Sequence, residues 1–275
     1  MIVEVKDPEK FEMLKKKIGE VLGFDCSQYS NSFLTRRIET RLRAVNIDSY
    51  SEYSRLLSES ADEQKRLDKE LTIHVTNFFR DQSMWNFFMS DIIPELIRRK
   101  KARNEKNIRI WSAGSSTGEE AYSIAICLKE VLGDDLGGFN VSITGTDYDQ
   151  KTVDKAKIAK YETLQFREMP PAYLKKYFQS EESTYSPVLS LKTLVRFERG
   201  DILSNSKPKN IDIIFCRNTV IYFDSETKNN LYLDFHNVLN KDGFLIIGKT
   251  ETIMGSARTL YKAYNTTERI FEIAE

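Results

Sequence analysis

The 275 residues include 41 basic and 41 acidic side chains, so no net charge draws the chain to nucleic acid or an anionic membrane, and any electrostatic partner must be met by a local patch. The 40% apolar and 30% charged content suits a globular protein with room for one large α/β domain and a smaller companion. Three widely spaced cysteines (Cys26, Cys127, Cys216) argue against a disulfide framework, and two histidines without a Cys-x-x-Cys pair argue against a metal site. With no signal peptide or long apolar run, a cytoplasmic location is expected.

Residues 8–74 read as helices only. Phe11, Leu14, Ile18, Val21 and Leu22 form one apolar stripe, and Leu34, Ile38, Leu42 and Val45 a second. Tyr53, Leu56 and Leu57 suggest a third helix, and Leu67, Leu71 and Ile73 a fourth. Residues 1–75 are therefore assigned to a small helical domain. Its second helix carries Arg36, Arg37, Arg41 and Arg43 on an arc beside the apolar stripe. Two readings stand side by side: a solvated face, or a docking surface for an acidic partner.

Thr76-Asn-Phe-Phe-Arg80-Asp81 leads into a long helix reaching about Lys101, with Trp85, Phe88, Ile92 and Leu96 at helical spacing. The stretch Ile108–Glu120 then reads as a short strand, a turn of small residues from Ala113 to Thr117, and a helix opening at Gly118-Glu119. Small side chains let backbone approach a ligand, and a helix N-terminus offers free N–H groups. Further strands follow at Val141–Asp147, Leu194–Asp201, Ile211–Asn218 and Gly243–Gly248, with a closing antiparallel pair at Tyr261–Tyr264 and Arg269–Ile273. Strands alternating with helices give a mostly parallel sheet covered on both faces, whose ligand sits outside the strands' carboxyl ends. Gly114–Gly118, Asp147, Asp201 and Asn218 all fall at such ends. Residues 161–193 exceed a plain crossover and read as an inserted subdomain. In it Pro170-Pro171 starts a helix to about Phe178, and Tyr185–Leu191 pairs with Leu194–Phe197.

A carboxylate ending the second strand can accept two hydrogen bonds from a ribose diol, which fits Asp147. N-capping the helix near Gln150 is a compatible second role for it. Glu119 sits where the helix dipole favours an acid in any case. An acid beside the loop suits a ligand bearing an ammonium and a sulfonium and opposes a pyrophosphate. Together with the antiparallel end of the sheet, this favours S-adenosylmethionine over a nicotinamide dinucleotide.

Four segments together make a specific resemblance: Thr76-Asn-Phe-Phe-Arg80, Ser112-Ala-Gly-Ser-Ser-Thr-Gly-Glu-Glu-Ala-Tyr-Ser-Ile-Ala125, Thr146-Asp147 and Phe215-Cys-Arg-Asn-Thr-Val-Ile-Tyr-Phe223. Nearly the whole chain resembles the CheR family of chemotaxis receptor glutamate O-methyltransferases. The resemblance implies a class I S-adenosylmethionine-dependent methyltransferase: a Rossmann-like, mostly parallel sheet with an antiparallel C-terminal strand (76–275), an all-α receptor-docking domain (1–75) and a small β insert (161–193). Thr76 and Arg80 would reach the methionyl carboxylate side of the cofactor, with Arg80 also near the substrate. Glu119 would bind the cofactor's amino group and Asp147 its ribose, while Asp201 and Ile202 would line the adenine pocket. Ala113 and Gly114 would give backbone contacts, as would Ser112. Arg217 and Asn218 would close the cofactor site, and Tyr222 would stand beside the transferred methyl. His74, also at the cofactor, stands where the best-known members have Asn, and Asp201 where Asn is also used.

The implied reaction forms a glutamyl methyl ester and S-adenosylhomocysteine. A glutamate is already ionised at pH 7, with a reference pKa of about 4.3, so no general base is needed. Arg36, Arg37, Arg41 and Arg43 would dock on the glutamate-bearing helices of a receptor. Some members grip a pentapeptide at the receptor's C-terminus through a longer, glycine-containing loop of the insert. Here Gln179–Thr184 is short and lacks glycine, so no such tether is expected. Neither nucleic acid nor direct membrane insertion is expected. Another class I methyltransferase, or a signalling module that binds the cofactor without turnover, are the competing readings.

Overall fold

A computed structural model describes residues 7–72 and 76–274. The chain divides into two units, Met1–Ile73 with Tyr222–Lys228, and His74–Ile221 with Asn229–Glu275.

The first unit holds four helices, α1 (Pro8–Leu22), α2 (Asn31–Ala44), α3 (Tyr50–Glu59) and α4 (Ala61–Leu71). Each starts where the sequence supplies a cap. Asp7 accepts from the Lys10 N–H with Pro8 at the first turn, and Ser30, Ser49 and Ser60 play the same part for the other three. The expected stripes become the core: Phe11, Leu14, Ile18, Leu34, Ile38, Tyr53, Leu57 and Leu67 are fully buried. Ile73 lies outside the described residues. Tyr222–Lys228 belongs to this unit because Ser30 N–H donates to the Tyr222 carbonyl at 3.0 Å and Tyr29 bridges to Phe223. The Tyr222 ring lies 5.0 Å from that of Phe33.

The second unit opens with α5 (Gln82–Phe87) and α6 (Ile93–Ala102), joined by a π-helical turn over Phe88–Ile92. The turn falls just before Pro94, whose missing N–H already breaks the regular ladder. Trp85, Phe88, Ile92 and Leu96 are all core residues, as their spacing indicates. There follow β1 (Asn107–Ala113), α7 (Glu119–Leu132), β2 (Asn140–Asp147), α8 (Gln150–Ile158), β3 (Tyr161–Glu162), α9 (Pro171–Tyr177), β4 (Phe178–Glu181), β5 (Thr184–Pro187), α10 (Leu189–Lys192) and β6 (Val195–Arg199). The chain ends with β7 (Ile211–Cys216), α11 (Ser225–Val238), β8 (Leu239–Ile247), β9 (Tyr261–Asn265) and β10 (Ile270–Ile273). The main sheet runs β6-β2-β1-β7-β8-β10-β9. Its first five strands pair in parallel, and β10 pairs antiparallel to both β8 and β9. The order reverses at β1, which places the switch-point crevice at the ends of β1 and β7.

The insert differs from the sequence reading. Tyr185 does not pair toward Leu194–Phe197. β5 instead pairs with β4 and β3 in a separate three-stranded antiparallel sheet, and Val195–Arg199 joins the main sheet parallel to β2. The separator is α10, a helical turn over residues that read as strand from their apolar content alone. Among the described residues, no helix is long and apolar enough to cross a membrane, and no cluster of His, Cys, Asp or Glu could hold a metal ion. The three cysteines are free and buried.

Candidate active site

The turn between β1 and α7 is folded by its own backbone. Gly114 and Ser115 N–H both donate to the Thr146 carbonyl, at 2.9 and 2.8 Å, and Gly118 N–H returns to the Ser115 carbonyl. Gly114 has φ +79°, and an added Cβ would lie 2.5 Å from Thr219 Oγ1, so the crossing of two strand ends requires glycine. Asp147 braces the turn from β2. One carboxylate oxygen accepts from Ser116 N–H at 2.9 Å and the other from Asp149 N–H at 3.1 Å. The cap of α8 is Asp149, which accepts from Lys151 N–H, and not Asp147 as the sequence allowed. The Ser115 and Ser116 hydroxyls are buried without a protein partner.

Glu119 opens α7 and is fully buried. Its carboxylate accepts from the Thr117 hydroxyl at 2.8 Å and from the Gln165 amide, a residue of the insert that sequence reasoning missed. Burial pushes the Glu119 carboxyl up, while its own N–H, Thr117 and Gln165 hold it down in part. Thr76, Thr117, Glu119, Leu164, Gln165 and Arg167 line a hollow of about 270 Å³. Tyr161 donates to the Thr117 carbonyl at 2.9 Å and ties the insert to the turn.

Arg80 is carried by a backbone held on every side. Phe78 N–H donates to the Gln165 carbonyl, Phe79 N–H to Ser123 Oγ, and Asp81 N–H to Glu168. Phe79 and Asp81 have φ of +56° and +65°, so two strained residues flank Arg80. Its carbonyl accepts from the Trp85 indole at 2.9 Å and from Arg217 at 3.1 Å. Arg217 itself is buried. It pairs with Asp81 at 2.5 Å and Glu120 at 3.5 Å and stacks over Trp85 at 5.7 Å. The sequence reading placed Arg217 at the cofactor. Its Nη1 and Nη2 are engaged by these groups, while its Nε is buried without a protein partner. Burial raises the Glu120 carboxyl, with Arg217 and Ser112 opposing.

Asp201 lies two residues past β6 in a turn, accepting from Leu203 N–H at 2.9 Å, and Ile202 beside it is buried. Asn218, after β7, has φ +58°. Ala113 is the last, buried residue of β1. His74 lies outside the described residues. Tyr222 is grouped with the helical unit. In that unit the four arginines separate. Arg37 pairs with Glu70 at 3.0 Å, and Arg41 forms a two-pronged pair with Glu63, which also accepts from Tyr53. Only Arg36 and Arg43 of the four are exposed. Periodicity could not have told them apart, because it says nothing of which acids a neighbouring helix offers.

An acid at the head of α7, a small-residue turn with unpartnered hydroxyls and carboxylates ending β2 and just past β6 fit a cationic, ribose-bearing ligand. With the strand order, they define a class I S-adenosylmethionine-dependent methyltransferase. Residues 74–270 match the family model described as CheR methyltransferase, SAM binding domain, and residues 9–72 that of the CheR methyltransferase all-alpha domain. The chain belongs to the CheR family of methyltransferases. It is 33% identical to the chemotaxis protein methyltransferase of Borreliella burgdorferi over 92% of this chain and 91% of that protein. Similar proteins of the same name occur in Listeria innocua (30%, over 86% and 87%) and Salmonella typhimurium (29%, over 90% and 85%).

Proposed function

We propose that the chain methylates glutamate side chains of chemotaxis receptors, forming glutamyl methyl esters. The buried carboxylate of Glu119 at the N-terminus of α7 is the observation that carries this reading. It supplies the negative charge that a sulfonium donor with a free amino group requires and that a phosphate would reject. When bound, S-adenosylmethionine supplies an electrophilic methyl group; the new C–O bond to the substrate carboxylate replaces the C–S bond, and S-adenosylhomocysteine leaves.

The residues of the chain act by placement. Glu119 holds the amino group and Thr76 the carboxylate of the donor's methionyl part. Asp147 accepts from the ribose, and Asp201 and Ile202 flank the adenine. Ala113 and Gly114 contribute at the strand ends, Arg217 and Asn218 close the cofactor site, and Arg217 also braces the Arg80 carbonyl. Arg80 attracts the incoming carboxylate and aligns it, while Tyr222 keeps the role of shaping the space beside the methyl. No residue needs to take a proton, since the nucleophile is already an anion. Alignment and exclusion of water supply the acceleration. Arg36 and Arg43 face the receptor's acidic helices, and no receptor-tail pentapeptide is used.

The test is incorporation of labelled methyl groups into base-labile ester on isolated receptor helices, preceded by calorimetric titration with S-adenosylhomocysteine. Binding without ester formation on any receptor would leave a cofactor-binding module, and label in a base-stable product another class of methyltransferase.

A further inference from the structure

After β8 the chain reads Gly248-Lys-Thr-Glu251, and the acid folds back under the loop that follows β7. Glu251 is 4% exposed. Its Oε2 accepts from the backbone N–H of Gly248 at 2.5 Å and of Asn218 at 3.3 Å. The backbone N–H groups of Val220 and Ile221 also hold the carboxyl's titration down against its burial. Amides from two separate strand ends thus converge on one side chain. Asn218 stands in the left-handed region, φ +58°, and its amide is one of the two that bond Glu251.

A carboxylate buried on backbone amides alone is costly if all it does is fill space, and an apolar side chain would pack there more cheaply. Its particular property is to accept from several donors at once, which fixes the path of the backbone that carries them. The neighbouring glycine fits this use. A Cβ on Gly248 would lie 2.8 Å from Glu251 Oε2 and 3.0 Å from the Asn218 nitrogen, so the approach of the two loops leaves no room for a side chain.

We infer that Glu251 is a positioning residue, which joins the amides of Asn218 and Gly248 and thereby sets Asn218 for the cofactor. The inference rests on the methyltransferase reading above. Glu251 Oε1 is buried without a protein partner, and burial pushes the carboxyl up. Glu251→Gln therefore keeps an oxygen on the amides with a neutral group of the same shape, whereas Glu251→Ala removes the acceptor.

The experiment compares the two variants in the full chain, by KM and kcat for S-adenosylmethionine and by hydrogen exchange of the loop amides. For Glu251→Ala, KM should rise about tenfold, kcat should change less than about threefold, and exchange at Asn218 and Gly248 should accelerate. Glu251→Gln should stay within about threefold of the parent in KM and restore protection. If Glu251→Ala does not fold, Gly248→Ala, which pushes the same two loops apart, must show the KM rise. A folded Glu251→Ala variant with parental KM and exchange overturns the inference, as does a Glu251→Gln variant as impaired as Glu251→Ala. Failure of the methyltransferase reading would appear separately, as no S-adenosylhomocysteine binding by the unsubstituted chain; exchange at the loop amides then decides the inference alone.

Discussion

Glu119 is pulled in two directions, and the balance makes cofactor binding depend on pH. Burial raises its carboxyl above the ordinary 4.5, so folding favours the neutral form more than water does. The stability that neutral form brings is complete below the ordinary carboxylate range and is lost as pH rises through the raised value. A bound ammonium favours the ionised form and draws the proton off. Affinity for S-adenosylhomocysteine should therefore climb with pH through the raised value and level off above it, with proton release on binding in the lower range. Calorimetry between about pH 5 and about pH 8 checks this, and the slope should flatten in Glu119→Gln. Glu120 and Glu251 are also raised, so the comparison with that variant isolates the residue. At Arg80, whose backbone is clamped between two positive-φ residues, Arg80→Ala should lower methyl transfer by about a hundredfold or more, because alignment of the carboxylate is lost. An unchanged turnover rate would remove Arg80 from the mechanism. Glu119 and Asp147 were legible in the sequence because strand ends and helix starts are local signals. Gln165 and Glu251 were not, since their partners lie on other segments and neither belongs to a periodic pattern.

The helices of the first unit show how far such patterns reach. Apolar stripes located all four, yet the arginine arc on α2 concealed two kinds of residue. Arg41, Glu63 and Tyr53 form one network with Glu63 only 4% exposed. Glu63→Ala leaves a cation and a hydroxyl without their acceptor in the core, and should cost about 3 kcal/mol, read as a shift of the unfolding transition in denaturant. Arg36 and Arg43 project to solvent and have no such structural part. Reversing both to Glu should slow methylation of receptor severalfold, more strongly at low salt, because exposed charges steer association. Affinity for S-adenosylhomocysteine should not change. Equal receptor methylation by the reversed and parental proteins would show that the face does not dock.

For the molecule as a whole, the mostly parallel sheet and the presence of a small β insert were readable because strands and helices alternate regularly, whereas the strand pairing inside the insert was misread. Its strands are four residues or fewer, and β4 turns directly into β5 at Glu182-Ser183, with Glu182 at φ +53° where a glycine would be usual. This small sheet bears on whether the tail of a proposed receptor could be held here. A peptide could join only by adding a strand, and β4 is an edge of that sheet. The outer residues of β4, Gln179, Ser180 and Glu181, are exposed, so no apolar pocket there would receive alternate side chains of a guest. A two-residue turn cannot wrap over the guest's far side. The carboxylate ending a receptor tail would meet Glu181, whose charge is already answered by Lys160 at 2.9 Å. Backbone bonds at an open edge, in competition with water, give little net affinity. A receptor-tail pentapeptide should therefore bind no more tightly than about millimolar in calorimetry, which is within reach of nonspecific contact. Receptors with and without the tail should be methylated at the same rate. Micromolar binding, abolished by lengthening the β4–β5 turn, would show that the insert captures the tail after all.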